Sequence, residues 1–193
     1  MSTIPEGRTK WFDFNTRDLV YMAILIAAAG VFQTFWAHLV FQAQVLGPFR
    51  GLFASFGFNV VSFLVLYLVR KPGAATIVKT VAGVIELLLG NPVGPVVIFY
   101  GLAEGIAADI AFVLFNQKIT LQMIIAGSLL AWLIAAPVDA YRDAVPLTVE
   151  GLATYFGPGG VSKVWISLWV YLTLKLLRSM NIGNKQAMSG GSL

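Results

Sequence analysis

The chain contains no cysteine and a single histidine, His38, among its 193 residues. Without thiols there is no disulfide, no cysteine-ligated zinc and no thiol catalysis, and one imidazole cannot build a multi-histidine metal site. Charge is scarce as well. Only 11% of residues are charged against 58% hydrophobic, with a mean hydropathy of +0.81, whereas a soluble domain carries about 25% charged residues. Also missing are a G-x-x-x-x-G-K-[ST] phosphate loop, an H-E-x-x-H pair and a G-x-S-x-G elbow, so nothing supports an ATPase or a hydrolase of those types. Any ATP-driven step belongs to another chain. No nucleophile, base and orienting group converge at a readable spacing, which leaves an intramembrane enzyme as the weakest reading. No internal repeat of about 20 to 50 residues is evident, so an inverted-repeat carrier has no support.

The sequence does hold long apolar runs, and they predict an all-α integral membrane protein with six transmembrane helices. Met1 to Asp18 is polar, mixed in charge and dotted with Trp11, Phe12 and Phe14. It suits a cytoplasmic or interfacial segment rather than a removable signal peptide. Asn15 or Thr16 is placed to cap the first helix. The spans are expected at about 19–46, 52–69, 74–89, 93–115, 119–138 and 161–177, most of them close to the roughly 20 residues that cross a bilayer. Asp139 to Gly160 reads as one long connection of the kind that serves as a lid or binding loop, and the polar residues 181–193 read as a tail.

The net charge of +4 comes from basic residues scattered at the ends of apolar segments. That is a topology signal, not a nucleic-acid face. With six spans, Arg8, Lys10, Arg17, Arg70, Lys71, Lys79, Lys118, Lys175, Arg178 and Lys185 fall on one side and Arg50, Arg142 and Lys163 on the other. The positive-inside rule then places both termini in the cytoplasm and the long connection outside, in the cell membrane.

Three carboxylates interrupt the apolar runs, and each is costly to place there. Glu86 lies near the outer end of the third span, within reach of an outward cavity, where it either attracts a cation or hydrogen-bond-donating ligand or sits protonated or bonded to a neighbouring helix. Tyr100 and Glu104 are four apart and share a helix face. Gly101 and Gly105 have the small-xxx-small spacing of a close helix contact, so Glu104 stays open between ligand contact and helix packing. Asp109 and Lys79 lie at matching depths on antiparallel spans and are expected to pair structurally. Asn91 follows Gly90 and precedes Pro92, which is turn chemistry first, with an amide also able to reach a ligand. Trp36, His38, Trp132, Trp165 and Trp169 fall in the outer halves of their spans. They serve either as an interfacial belt or as stacking partners for a flat ring, with cation–π attraction if that ring is charged. Ala23, Ala27 and Ala28, with Gly30, form a small-residue face on the first span that permits close approach of another helix.

The central stretch resembles the YkoE family, substrate-binding S components of energy-coupling factor (ECF) transporters for thiamine or its hydroxymethylpyrimidine precursor. The resemblance rests on Arg70-Lys71-Pro72-Gly73-Ala74-Ala75, on Glu86 with Leu88-Leu89-Gly90-Asn91-Pro92 and Gly94-Pro95, and on Gly101, Glu104-Gly105 and Ala108-Asp109. Thr16, Asp18 and Val20 add a weaker match. It implies a six-helix fold and a pocket near the outer face, with Glu86 and Asn91 beside it. It also implies docking of a transmembrane coupling protein on Ala23 and Ala27, two ABC-type ATPases as partners, no cofactor, no resident metal and no bond chemistry. The sequence departs from the family pattern at Glu104, where glutamine is usual, at Asp109, where glutamate is usual, and at Lys79, where an acidic or neutral residue is expected. From the residues alone, the rival reading is a stand-alone ion- or proton-coupled carrier with Glu86, Glu104 and Asp109 as a relay.

Overall fold

The structure, a computed structural model, describes residues 11–42, 50–142 and 148–180. The expected tail at 181–193, the first ten residues and the Gly47-Pro48 break lie outside the described residues. Six helices follow one another: α1 (Thr16–Gln42), α2 (Arg50–Val69), α3 (Ala74–Leu88), α4 (Val96–Leu114), α5 (Leu121–Arg142) and α6 (Val149–Ser179). No strand occurs among the described residues. Thr16–Val40, Val96–Leu114, Leu121–Tyr141 and Gly159–Ser179 are each long and apolar enough to cross a bilayer, so the chain is a multi-pass membrane protein. Their outer faces stay apolar, as at Ile24, Phe35, Leu114, Leu133 and Leu176, because lipid rather than water covers them.

The start of α1 is fixed by a reciprocal cap. The Asp18 N–H donates to Asn15 Oδ1 at 2.9 Å, and the Asn15 N–H donates back to Asp18 Oδ2 at 3.1 Å, which satisfies two of the donors a helix start leaves open. Asp18 also pairs with Lys71 at 2.8 Å, tying α1 to the turn between α2 and α3. That turn needs Gly73. Its φ is +92°, and an added Cβ would meet the Phe12 ring at 2.7 Å.

Helix α3 is the centre of the bundle, packed against α1, α2 and most extensively α4. Its Ala74, Ala75, Val78 and Ala82 are fully buried, and small residues on α4 let the two backbones approach closely. A Cβ at Gly101 would lie 2.4 Å from the Lys79 carbonyl oxygen, and one at Gly105 2.5 Å from Thr76 Cα. These two contacts set the antiparallel register. At 15 residues, α3 is about 22 Å long, short of the roughly 30 Å hydrocarbon core. The turn that follows it is drawn into the bundle, with Asn91 only 4% exposed. Around α3 the core is closed by Phe63 and Leu66 of α2, Phe112 of α4, Met123 and Ile124 of α5, and Ile166 and Val170 of α6.

The long connection expected at Asp139 to Gly160 is mostly helical. Helix α5 continues through Pro137 to Arg142, and α6 begins at Val149. The inward face of α5 keeps its helical period beyond the apolar run, through Ala136 and Ala140. In α6, Gly159 and Gly160 lie against the Trp132 ring, so the end of the expected connection serves a helix–helix contact.

Candidate functional site

Polar side chains from five helices meet in the half of the bundle that contains the C-terminal end of α3. Lys79, 1% exposed, pairs with Glu104 of α4 at 2.8 Å and donates to Gln33 Oε1 of α1 at 3.2 Å. Gln33, itself fully buried, donates to the Gly57 carbonyl of α2 at 3.3 Å. Glu86 lies two turns along α3 from Lys79, 2% exposed, and is close enough to feel both Lys79 and Glu104 electrostatically. The Asn91 amide donates to Glu86 Oε2 at 2.7 Å, while Asn91 Oδ1 accepts from the Val93 N–H at 3.0 Å. Turn residue and carboxylate therefore form one unit. Tyr100 donates to Asp139 of α5. Lys163 of α6 stands within electrostatic reach of Glu104, Asp139 and Lys79.

The pairing expected between Lys79 and Asp109 does not occur. The register set by Gly101 and Gly105 brings Glu104 beside Lys79 and leaves Asp109 a turn further along, opposite the start of α3. There the Thr76 N–H and hydroxyl donate to Asp109 Oδ2 at 2.8 and 2.6 Å, and the N–H groups of Gly73 and Ala75 also interact with the carboxylate. Gly73 has no side chain to cap α3. Asp109 caps it from the neighbouring helix, which satisfies orphan donors and complements the helix dipole.

The structure gathers Glu86, Asn91, Tyr100 and Glu104 into this cluster. Trp36 stacks on Phe32 with ring centroids 5.9 Å apart and lies over Gly57, one turn from Gln33. Trp132 lies over Gly159 and Gly160, on the same helix as Asp139 and beside the start of the turn that carries Lys163. His38 donates through Nδ1 to the Thr34 carbonyl at 2.9 Å, further along α1. Trp165 is apart from the cluster: half-exposed, it packs edge-on with Trp169 along the outer face of α6. Ala23, Ala27 and Ala28 are exposed on α1. Gly30 is not part of that open face, because its α-carbon is packed against Ile85 of α3. Sequence reading missed Gln33, Asp139 and Lys163. A glutamine inside an apolar run and a lysine inside the last span were the available signals, while Asp139 was hidden by its assignment to a loop.

Among the described residues the cluster holds three carboxylates, Glu86, Glu104 and Asp139, against two ammonium groups, Lys79 and Lys163. No three His, Asp or Glu side chains are grouped to hold a metal ion among the described residues.

Comparisons with known proteins agree with this architecture. A crystal structure of an S-component of an ECF transporter superposes with a TM-score of 0.69 at 21% identity, covering 94% of this chain and all of that one, so the two share a fold. A Bacillus subtilis (strain 168) protein named as an HMP/thiamine permease, YkoE, is 30% identical over 111 residues. That match covers 54% of this chain and 53% of the relative, so the similarity spans about half the length of the curated relative. Residues 17–141, well over half of the chain, match the family described as "ABC-type cobalt transport system, permease component". With an S-component fold, apolar spans and that family match over α1 to α5, the chain belongs to the family of permease components of ABC-type cobalt transport systems.

Proposed function

We propose that the protein is the solute-binding S component of an ECF-type importer and binds thiamine or a related pyrimidine, such as hydroxymethylpyrimidine, in the polar cluster. The observation that carries this reading is a buried carboxylate, Glu86, bonded to the Asn91 amide rather than to an ammonium group and grouped with Tyr100, Glu104 and Asp139. A buried carboxylate without its own counter-ion attracts a cation far more strongly than it would in water, and thiamine brings one fixed positive charge on a flat ring system. Glu86 is the principal anchor. Asn91, Tyr100 and Glu104 are secondary contacts. Trp36 and Trp132 are the aromatic surfaces nearest the cluster, His38 and Trp165 more distant ones. The name of the Bacillus subtilis relative points to the same class of ligand. The absence of a three-ligand metal grouping among the described residues favours an organic solute over a cobalt ion.

The site opens outward in this reading, with the chain in the cytoplasmic membrane and both termini in the cytoplasm. The exposed Ala23 and Ala27, flanked by Val20, Ile24 and Val31, offer the open face on which a coupling protein docks, and two ATPases supply the energy. The alternative of a stand-alone proton-coupled carrier needs Asp109 in a relay with Glu86 and Glu104. The engagement of Asp109 with Thr76 at the start of α3 weighs against that relay. Calorimetric titration of purified, ligand-free protein with thiamine and with hydroxymethylpyrimidine tests the proposal. Thiamine is expected to bind more tightly than its uncharged precursor. Absence of binding by both compounds would end the vitamin assignment.

A further inference from the structure

At the end of the bundle opposite the polar cluster, the C-terminal ends of α2, α4 and α6 surround a cavity of about 290 Å³ lined by Arg70, Lys118, Lys175 and Arg178 with Tyr67 and Tyr171. No carboxylate lines it. Lys71 and Lys79 have carboxylate partners at 2.8 Å, but no ion pair engages these four cations among the described residues. Positive-inside topology accounts for basic residues at this end of a membrane protein, though not for four of them converging on one cavity, where they repel one another. Two of the lining positions also have unusual backbones. Arg70 has a φ of 55° and Gln117 a φ of 61°, beside Asn116 at 53°, a left-handed conformation that non-glycine residues seldom adopt and that the surrounding structure must hold in place.

The geometry points to a binding site for the phosphate of an anionic phospholipid headgroup. Guanidinium and ammonium groups are the donors a phosphate recognises, the first in two-pronged fashion, and basic recesses between spans at the cytoplasmic surface suit such headgroups. The volume holds a headgroup but not a whole lipid. Leu114 and Leu176, at the same end of α4 and α6, are 71% and 61% exposed. They provide apolar surface at the level where acyl chains would enter the bilayer. A free phosphate ion would make no use of that surface, which is why the lipid is the favoured source of the anion.

Native mass spectrometry of the full chain in detergent, titrated with dioleoyl-phosphatidylglycerol or dioleoyl-phosphatidylcholine, tests the site. One phosphatidylglycerol is expected to bind about tenfold more tightly than phosphatidylcholine, each nearby cation adding attraction to an anionic headgroup. The double substitution Lys118→Gln with Lys175→Gln is expected to abolish most of that preference. Both lysines are exposed, so the fold should survive, which an unchanged melting temperature would verify. Arg17→Gln, an exposed cation beside Tyr21 and outside the cavity, should leave the preference intact. Equal binding of the two lipids, a preference that persists in the double variant, or an equal loss in the Arg17 variant would each overturn the proposal. Displacement of the lipid by millimolar inorganic phosphate would overturn the lipid as the source of the anion. Intact lipid preference together with failed assembly of the double variant with its coupling protein would overturn it in favour of an acidic protein segment.

Discussion

Glu86 and Asp109 are both carboxylates buried in apolar helices, and their partners separate their roles. Glu86 shares its charge with an amide, Asn91, and with no ammonium group at hydrogen-bond distance among the described residues. Glu86→Gln should therefore preserve the fold, because the Asn91 amide can donate to the new carbonyl, while weakening thiamine binding by at least about tenfold, or 1.4 kcal/mol. Isothermal titration of the variant beside the wild type measures this, and an unchanged affinity would remove Glu86 from the site. Asp109 accepts two hydrogen bonds from Thr76 at the start of α3. Asp109→Ala leaves those donors buried without an acceptor, at a cost of about 1–3 kcal/mol. It should lower the melting temperature in detergent with little change in ligand affinity at temperatures where the variant stays folded. Asp109→Asn, which keeps an acceptor oxygen, should fall between. The sequence marked both residues as unusual, but only the register of α3 against α4 distinguished cap from site.

At the scale of the element, α3 and α4 behave as one unit because Gly83, Gly101 and Gly105 leave room for close backbone contact. A methyl group at Gly105 would stand 2.5 Å from Thr76 Cα, and rigid helix backbone cannot give way cheaply. Gly105→Ala is thus expected to destabilise by about 1–3 kcal/mol. It should also disturb ligand binding, because moving α4 moves Glu104 away from Lys79. Gly94→Ala isolates the other role of glycine. Its φ is +71° but no atom lies within 4 Å of an added Cβ, so only backbone strain of about 1–2 kcal/mol is expected, without a steric clash. Melting temperatures and titrations of the two variants should show coupled losses for Gly105 and, at Gly94, a stability loss with smaller change in binding. The small-xxx-small spacing was legible in the sequence. Which helix it faced was not, since spacing along one chain carries no record of the partner.

The molecule as a whole is a bundle whose two ends differ in chemistry, mixed charge around α3 at one and basic side chains at the other. If the termini are cytoplasmic, a cysteine placed by Val149→Cys, at a position 88% exposed, should react with a membrane-impermeant maleimide on intact cells. One placed by Ser179→Cys should react only after permeabilisation. The natural chain has no cysteine, so neither label has background, and the reverse pattern would invert the topology. Ala27→Trp, on the open face of α1, should prevent assembly with the coupling protein in a pull-down while leaving titration of the isolated chain unchanged. Composition and apolar run length were enough to determine the membrane class and the helical fold, because lipid imposes those requirements on each segment separately. Glu86 stood out for the same reason, as a charged group in a segment that should have none, and Asn91 as the centre of a Gly-Asn-Pro turn. The tertiary structure alone decided that Lys79 pairs with Glu104 and Gln33, that Asp109 caps α3, that Asp139 and Lys163 join the cluster, and that Asp139 to Arg142 and Val149 to Gly160 are helical. Each of these depends on helix register and rotation, which arise from packing between distant segments and leave no local pattern in the chain.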